Sequence, residues 1–262
     1  MKSKLSLIAA IILSVLSVLS VILFLSRNEL FPLEKPGFVP DESDFVLTEA
    51  PTEPLTEKLP YKSPIDFKTL WETNTDIYAW IKIDNTPISY PIAQSETDDA
   101  YYLKHTIEGY YSDYGTLFTE HAYNKKDFSD RVTIMYGHYF PYSDQMFSLF
   151  QTMYPSEDAF TKYEDVVIYL PEKELHYKVF AAVPVMGYHL MYRYNNFRKN
   201  MLLLSFLNDI KDVDLYGTNY NPKLKIGEEV TEKDKILIMS TCYDGHDDMR
   251  YLVMAKLVSE ID

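Results

Sequence analysis

The sequence predicts a mainly β protein, a closed or nearly closed β-barrel with a few added helices. Short apolar runs rich in β-branched and aromatic residues recur along the chain and are separated by turn residues. These runs do not alternate regularly with helical patterns, which disfavours a parallel α/β sheet. The chain has 262 residues, of which 47% are hydrophobic, and this is enough apolar material for one sizeable core.

The first apolar run, Leu5–Leu25, is predicted to be a membrane anchor rather than a barrel strand. It holds 21 residues without a charge, and as a helix it would span ~31 Å, about one bilayer core. Two lysines precede it and one arginine follows it, which modestly favours a cytoplasmic N-terminus. The alternative is a cleaved signal peptide, but such a peptide has a shorter apolar run that ends in small residues. We expect residues 1–27 to form a cytoplasmic tip and a single-pass anchor in the cell membrane, with the remaining chain extracellular.

Residues 28–64 are predicted to form a semi-extended acidic stalk. They contain seven of the fourteen prolines, and eight acidic residues against three lysines. Closely spaced prolines prevent regular helices and strands. A folded domain is then expected over residues 65–262, held away from the membrane by the stalk.

The elements of this domain are predicted from local patterns in chain order. A helix is expected to begin at Ser63-Pro64, with Ser63 as its N-cap. A second helix is expected over Arg198–Lys211, where four apolar residues at helical spacing indicate core packing: Leu203, Phe206, Leu207 and Ile210. The strands are predicted over Ile77–Ile83, Ile88–Ile92, Arg131–Tyr136, Val166–Leu170, Leu175–Val185, Ile236–Met239 and Tyr251–Val258.

Charge and cysteine content exclude several functional classes. The formal net charge is -14, which disfavours nucleic acid as a partner because phosphate binding requires clustered Lys and Arg. A single cysteine excludes an internal disulfide, a Cys-rich zinc site and a CxxC redox pair. The acidic pairs Asp98-Asp99 and Asp247-Asp248 lack the ligand spacing of a Ca²⁺ loop, so we expect no metal and no other cofactor.

The lone cysteine, Cys242, is a candidate nucleophile. It directly follows an apolar strand and begins a polar segment that ends at Arg250, where the next apolar strand starts. If these two strands pair, Cys242 and Arg250 face one cleft across a seven-residue loop. The alternative is a buried cysteine that acts as a small hydrophobic residue.

A cysteine nucleophile requires a proton partner, because a free thiol is mostly protonated at neutral pH. Among the six histidines, spacing alone leaves His138 and His246 as rivals. His138 follows a predicted strand, and His246 lies four residues after Cys242. Arg250 suits stabilisation of a tetrahedral oxyanion, although a surface ion pair with a neighbouring aspartate is the alternative.

The chain resembles the class B sortases, membrane-anchored cysteine transpeptidases of Gram-positive bacteria. The family signature TLxTC is similar to Ile238-Met239-Ser240-Thr241-Cys242, with its terminal Thr-Cys intact. Tyr136-Gly137-His138 is similar to the histidine motif, although Tyr139 replaces the Asn that often follows. The segment from Arg250 resembles the Arg-led last strand, and further similarity covers Ile88–Ser95, Tyr101–His105 and Gly115–Phe118.

The resemblance implies an eight-stranded β-barrel with an N-terminal helix and an extra helix between the sixth and seventh strands. It implies that Cys242 is the nucleophile, that His138 rather than His246 protonates the leaving amine, and that Arg250 steadies the oxyanion or positions the substrate. The implied partners are sorting-signal peptides of secreted surface proteins and the amine of a peptidoglycan precursor. Residues expected to line the peptide groove are Tyr136, Ser240, Thr241 and Leu103.

Three alternative functions are compatible with the same sequence. A pilin-polymerising sortase would use the same three residues but accept a lysine amine from another pilin. A cysteine hydrolase would release the peptide to water. A non-enzymatic surface binding or adhesion protein would keep its function after mutation of Cys242.

Overall fold

The computed structural model describes residues 60–154, 157–210, 223–224 and 230–262. The predicted anchor Leu5–Leu25 and the predicted stalk up to residue 59 lie outside the described residues. The chain from Lys58 to Asp262 forms one compact unit. Within the described ranges, no helix is both long and apolar enough to cross a membrane.

The described residues contain nine strands that belong to one sheet. Several of these strands are buried along most of their length, because apolar side chains pack against both faces of the sheet. In chain order the strands are β1 Ile77–Ile83, β2 Ser89–Ala93, β3 Leu117–Phe118, β4 Val132–Tyr136, β5 Asp165–Tyr169, β6 Glu174–Met186, β7 Lys223–Leu224, β8 Ile236–Tyr243 and β9 His246–Ile261.

The sheet closes on itself as an eight-stranded barrel. Its strand order is β5-β1-β2-β3-β4-β8-β9-β6-β7, and an additional β5–β6 pairing joins the two ends of the eight-strand ring. The two-residue strand β7 adds to β6 outside this ring. The β2–β3 and β4–β8 pairs are parallel. The predicted mainly β barrel is therefore confirmed.

Two hydrophobic clusters cover opposite faces of β8 and β9. One contains Leu237, Met239 and Val253 with many aromatic side chains. The other contains Ile238 and Leu252 with the apolar stripe of a helix, which confirms the predicted core role of Leu203, Phe206, Leu207 and Ile210. Because side chains alternate along a strand, the residues at the end of β8 also point in turn to one face of the sheet and then to the other.

The described helices are short, and the helix with the apolar stripe lies between the sixth and seventh strands, as expected. Helix α1 begins at Asp66, whose carboxylate accepts a hydrogen bond from the Thr69 N–H at 3.2 Å. The N-cap is therefore Asp66 and not Ser63, whose hydroxyl instead accepts from the Ile65 N–H. The helices are α1 Phe67–Thr73, α2 Phe150–Met153, α3 Glu157–Lys162, α4 Leu190–Arg193 and α5 Asn200–Asp209.

The hairpin of β8 and β9 differs from its prediction. The two strands extend well beyond Ile236–Met239 and Tyr251–Val258, and only Asp244-Gly245 separates them. Gly245 has φ of +73°, a conformation that glycine adopts without strain and that tight hairpin turns require. The expected seven-residue loop was therefore wrong, because Tyr243 pairs with His246 across the turn and the register then shifts so that Cys242 pairs with Arg250.

Candidate active site

Cys242 and Arg250 are direct partners across the β8–β9 ladder. Side chains at such positions lie on the same face of the sheet with Cβ atoms about 5 Å apart. Cys242 carries a free, exposed thiol, so the alternative of a buried structural cysteine does not hold. The hairpin alone thus places the thiol beside a permanent cation.

His138 is brought to this pair by the parallel pairing of β4 with β8. Tyr136 lies opposite Ser240, and the Gly137 N–H donates to the Ser240 carbonyl at 3.1 Å. Two further residues along each strand lead to His138 and Cys242. The β4–β8 register therefore brings His138 to the same end of the sheet as Cys242, and both residues line one cleft.

The His138 ring is held by a backbone carbonyl. Its Nε2 lies 2.6 Å from the Leu103 carbonyl oxygen. A carbonyl oxygen only accepts hydrogen bonds, so Nε2 carries a proton and Nδ1 is the nitrogen left for proton exchange. Gly115 permits this arrangement, because a Cβ at that position would lie 2.7 Å from the same Leu103 oxygen.

Position 137, directly before His138, has room only for glycine. A Cβ built on Gly137 would lie 2.4 Å from Leu117 Cδ2 and 2.6 Å from Phe147 Cδ2. Both neighbouring side chains are fully buried, so neither can easily move. A residue with any side chain at position 137 would displace the backbone that carries His138.

Arg250 is anchored by backbone carbonyls rather than by carboxylates. Its Nη1 donates to the Met249 oxygen at 2.7 Å and to the Asp247 oxygen at 3.2 Å. Among the described residues, no carboxylate lies within ion-pair distance of the guanidinium. The predicted alternative of a surface ion pair is therefore not what the structure contains.

A cleft of about 300 Å³ contains all of these groups. Cys242, His138 and Arg250 line it. The residues expected from the sequence to line the peptide groove also contribute to its walls: Tyr136, Ser240, Thr241 and Leu103. Leu103 exposes 40% of its surface, whereas Thr241 exposes 2%, and within the described part of the chain the Thr241 hydroxyl has no hydrogen-bond partner.

Glu120 and His189 line the same cleft and were not identified from the sequence. The Glu120 carboxylate accepts from the Tyr136 hydroxyl at 3.0 Å and from the His189 ring at 3.0 Å. Burial, and then the negative charge of Glu120, raise the pKa of Tyr136, so the phenol stays protonated as a donor. These residues are far apart in the chain, and no local motif connects them.

The remaining four histidines are not among the residues that line the cleft. His246 stacks on Tyr243 with ring centroids 5.0 Å apart and is not among the residues that line the cleft. His105 stacks on Tyr101 at 4.1 Å, and His176 hydrogen-bonds Glu174. In the part of the chain that the structure describes, no group of three or more His, Cys, Asp or Glu residues is arranged to hold a metal.

Comparisons with known proteins agree with this fold. No family model matches the chain. Sortase B of Listeria monocytogenes is 26% identical over 207 residues, which is 74% of this chain and 75% of that protein. The structure of sortase B from Bacillus anthracis is 26% identical with a TM-score of 0.60, over 76% of this chain and 88% of that one.

A second similar structure is that of a Streptococcus pyogenes class B sortase involved in pilus biogenesis. It is 24% identical with a TM-score of 0.61, over 74% of this chain and 98% of that one. These relatives give no support to the alternative of a non-enzymatic surface protein. The chain is therefore a sortase, a cysteine transpeptidase homologous to sortase B and built on the fold of the class B sortases.

Proposed function

We propose that this sortase cleaves the C-terminal sorting signal of secreted surface proteins through Cys242 and joins the new carboxyl end to a cell-wall amine. The observation that carries the proposal is the direct pairing of Cys242 with Arg250, next to the strand that leads to His138. Three side chains of complementary chemistry thus meet in one cleft.

In the first step, the Cys242 thiolate attacks a backbone carbonyl of the sorting signal. A C–S bond forms, and the negative charge on the carbonyl oxygen is stabilised by the Arg250 guanidinium. The C–N bond then breaks, and His138 gives its Nδ1 proton to the departing amine. The product is a thioacyl-enzyme, with Arg250 still held by the two carbonyls that fix its position.

In the second step, an acceptor amine attacks the thioester. His138 takes a proton from the amine, the new C–N bond forms, and the C–S bond breaks to restore the thiolate. If water attacks the thioester instead of the amine, the first step is unchanged and the peptide is released by hydrolysis. An acceptor that reaches the thioester faster than water therefore decides between transpeptidation and simple cleavage.

The walls of the cleft suit an extended peptide. Apolar surface comes from Leu103, Val185, Leu190 and Leu252, which can bury side chains of the signal. Polar surface comes from Glu120, whose carboxylate lies between Tyr136 and His189. We assign the peptide groove to this cleft, with Tyr136, Ser240, Thr241 and Leu103 as contact residues.

We propose that the acceptor is the amine of a peptidoglycan precursor and that Leu5–Leu25 anchors the enzyme in the cell membrane. The support for the anchor is the uncharged length of this segment, which matches a bilayer core. The acidic, proline-rich residues 28–64 would then hold the catalytic domain, residues 65–262, toward the cell wall. An anchored enzyme meets both exported substrates and membrane-bound precursors.

A second candidate is polymerisation of pilins, in which a lysine side chain is the acceptor. The observation that favours it is the structural similarity to a class B sortase involved in pilus biogenesis. Its first half-reaction is identical, so Cys242, His138 and Arg250 keep their roles. The two candidates differ only in the amine that resolves the thioester.

Intact-mass spectrometry tests the proposal directly. The protein is incubated with a library of candidate sorting peptides, first alone and then with glycine-type or lysine-type amines. We expect a mass gain on Cys242 equal to the N-terminal peptide fragment, and its loss when the correct amine is added. No adduct with any peptide, together with a thiol that resists alkylation, would refute the proposed function.

A further inference from the structure

The backbone that follows Cys242 is held by a side chain from a different element. Gln151, on helix α2, donates from Nε2 to the Cys242 carbonyl at 3.0 Å. The Asp244 N–H in turn donates to Gln151 Oε1 at 3.0 Å. One primary amide therefore pairs with two backbone groups on either side of Tyr243.

This pairing continues a ladder that β4 leaves incomplete. The Ser240 carbonyl bonds the Gly137 N–H at the end of β4. The Cys242 carbonyl, two residues later, points to the same edge of β8 because strand residues alternate. β4 ends at Tyr136, so the Gln151 amide occupies the position of the next strand residues.

The turn requires an external support because its own ladder is irregular. The β8–β9 register shifts between Cys242 and Tyr243, directly after the nucleophile. Apart from its own chain neighbours, no atom of the described residues lies within 4 Å of the position of a Cβ on Gly245, so the tip of the hairpin is open on this side. Helix α2 supplies a firm base for Gln151, since its flanking side chains Phe150 and Met153 are buried in the core.

Asp244 connects the same turn to the histidine loop. Asp244 and Tyr139 both line a second cavity, of about 680 Å³. Burial, then the negative charge of Asp244 and its hydrogen bond, raise the pKa of Tyr139, so the phenol remains a donor toward the carboxylate. Tyr139 directly follows His138, at the position where the sortase motif often has Asn.

We propose that Gln151 is a positioning residue of the transpeptidation, whose amide replaces the missing end of β4 and fixes the Cys242 thiol against His138 and Arg250. The inference rests on the proposed role of Cys242 as the nucleophile. Gln151 does not touch the reacting atoms, and it acts through the backbone on both sides of Tyr243. Tyr139 and Asp244 extend this support to the loop that carries His138.

The test uses the full-length chain in detergent micelles with Gln151→Met and Gln151→Glu. Met keeps the length of the side chain but removes both hydrogen bonds. We expect kcat for a sorting peptide to fall between about tenfold and a hundredfold, as small misplacements of reacting groups do, with KM within about twofold. Thr152→Val is the matched control, because Thr152 is exposed on the same helix and, among the described residues, its hydroxyl bonds only the Leu149 carbonyl.

Gln151→Glu adds a readout that a merely structural role would not change. A protonated Glu resembles Gln, because its O–H can donate a hydrogen bond to the Cys242 carbonyl oxygen. An ionised carboxylate has no donor and repels that oxygen. Thiol reactivity is measured with 2,2′-dithiodipyridine, which needs no peptide substrate and reacts at acidic pH. We expect the deficit of Gln151→Glu relative to wild type to shrink as the pH falls from 7 toward 4.

Two results would overturn the proposal. One is a Gln151→Met enzyme within twofold of wild type in both kcat and thiol reactivity. The other is a loss of activity that only follows a loss of folded protein, with a Gln151→Glu deficit that does not depend on pH. A wild-type enzyme that forms no thioacyl adduct would refute the proposed function instead, while the thiol measurement would still decide the role of Gln151.

Discussion

Replacing Gly137 with alanine should damage both the stability and the chemistry of this sortase. The new Cβ would lie 2.4 Å from Leu117 Cδ2 and 2.6 Å from Phe147 Cδ2, where carbon atoms normally lie about 3.5–4.0 Å apart. Both side chains are fully buried, so the overlap of more than an ångström is not relieved by a side-chain rotation into solvent. Overpacking of this kind costs about 1–3 kcal/mol.

This cost predicts a measurable change in thermal unfolding. For a domain of this size, 1 kcal/mol lowers Tm by about 2–4 °C, so Gly137→Ala should lower Tm by about 2–12 °C. The remaining strain moves the backbone of residue 137 and with it His138. A displacement near 1 Å costs about a hundredfold in rate, so thioacyl formation should fall more than the loss of folded protein explains.

The assay combines circular dichroism melting with the rate of thioacyl formation by intact mass. Gly245→Asn is the control, because no atom lies near its Cβ and Asn tolerates positive φ; its effect on stability should stay within about 0.5 kcal/mol. Leu117→Val removes the closest atom, so its combination with Gly137→Ala should be less destabilising than the sum of the two. A Gly137→Ala protein with wild-type Tm and rate would refute the reasoning.

The remaining predictions concern the three groups proposed to be catalytic and the support of β4. Cys242→Ala should abolish turnover, and His138→Ala should nearly abolish it. His246→Ala should lower turnover only mildly, with peptide cleavage as the assay. An inactive His246→Ala enzyme together with an active His138→Ala enzyme would reverse the assignment of the histidine. Arg250→Ala should lower kcat about 10²–10³-fold with a smaller change in KM, and steady-state kinetics that show only a KM effect would limit Arg250 to substrate binding. Asn124 is buried and pairs with the carbonyl of Val132 at 2.8 Å and the N–H of Ile134 at 3.0 Å; Asn124→Ala should destabilise the protein by about 2–5 kcal/mol in urea unfolding, since two buried backbone groups lose their partner, and a loss below 1 kcal/mol would contradict this.

The sequence predicted those elements whose signals are local. β1 was predicted with its bounds, because its apolar run is followed by the turn residues Asp84 and Asn85. The β5–β6 hairpin was predicted for the same reason. The N-cap of α1 was misplaced by three residues, since Ser63 and Asp66 have equal capping chemistry and only the tertiary structure selects Asp66.

The length of β8 and β9 could not be read from hydrophobicity. Residues 243–250 are mostly polar, yet all but Asp244-Gly245 belong to β8 and β9, because an exposed hairpin end needs no apolar face. The Asp244-Gly245 pair is a typical two-residue hairpin signal, and it could have corrected the prediction. Recognising it would have joined the two strands through a tight turn, but a regular ladder from that turn places Asp247 opposite Cys242, and only the register shift after Cys242 brings Arg250 to that position.

For the candidate site, too, the sequence identified the residues that are close in the chain and missed those that meet only in the folded protein. Cys242 and Arg250 were found because they lie close together in the chain. The local sequence could not separate His138 from His246, since the relevant parallel pairing joins Tyr136 to Ser240, more than a hundred positions later. Gln151, Glu120 and His189 gave no signal, because their contacts depend on side chains that meet only in the folded barrel.

The two kinds of strand pairing also form at different times during folding, so the groups of the candidate site come together in sequence. The hairpin that joins the thiol to its cation is local, and such hairpins form within about 1–10 μs. The parallel pairing of β4 with β8 closes a long stretch of chain, and contacts of that kind form slowly. A full-length chain that has not finished folding therefore has Cys242 beside Arg250 before His138, the proposed proton donor, is in place. Enzymatic competence is acquired only when the barrel closes, so this sortase is latent until it has folded.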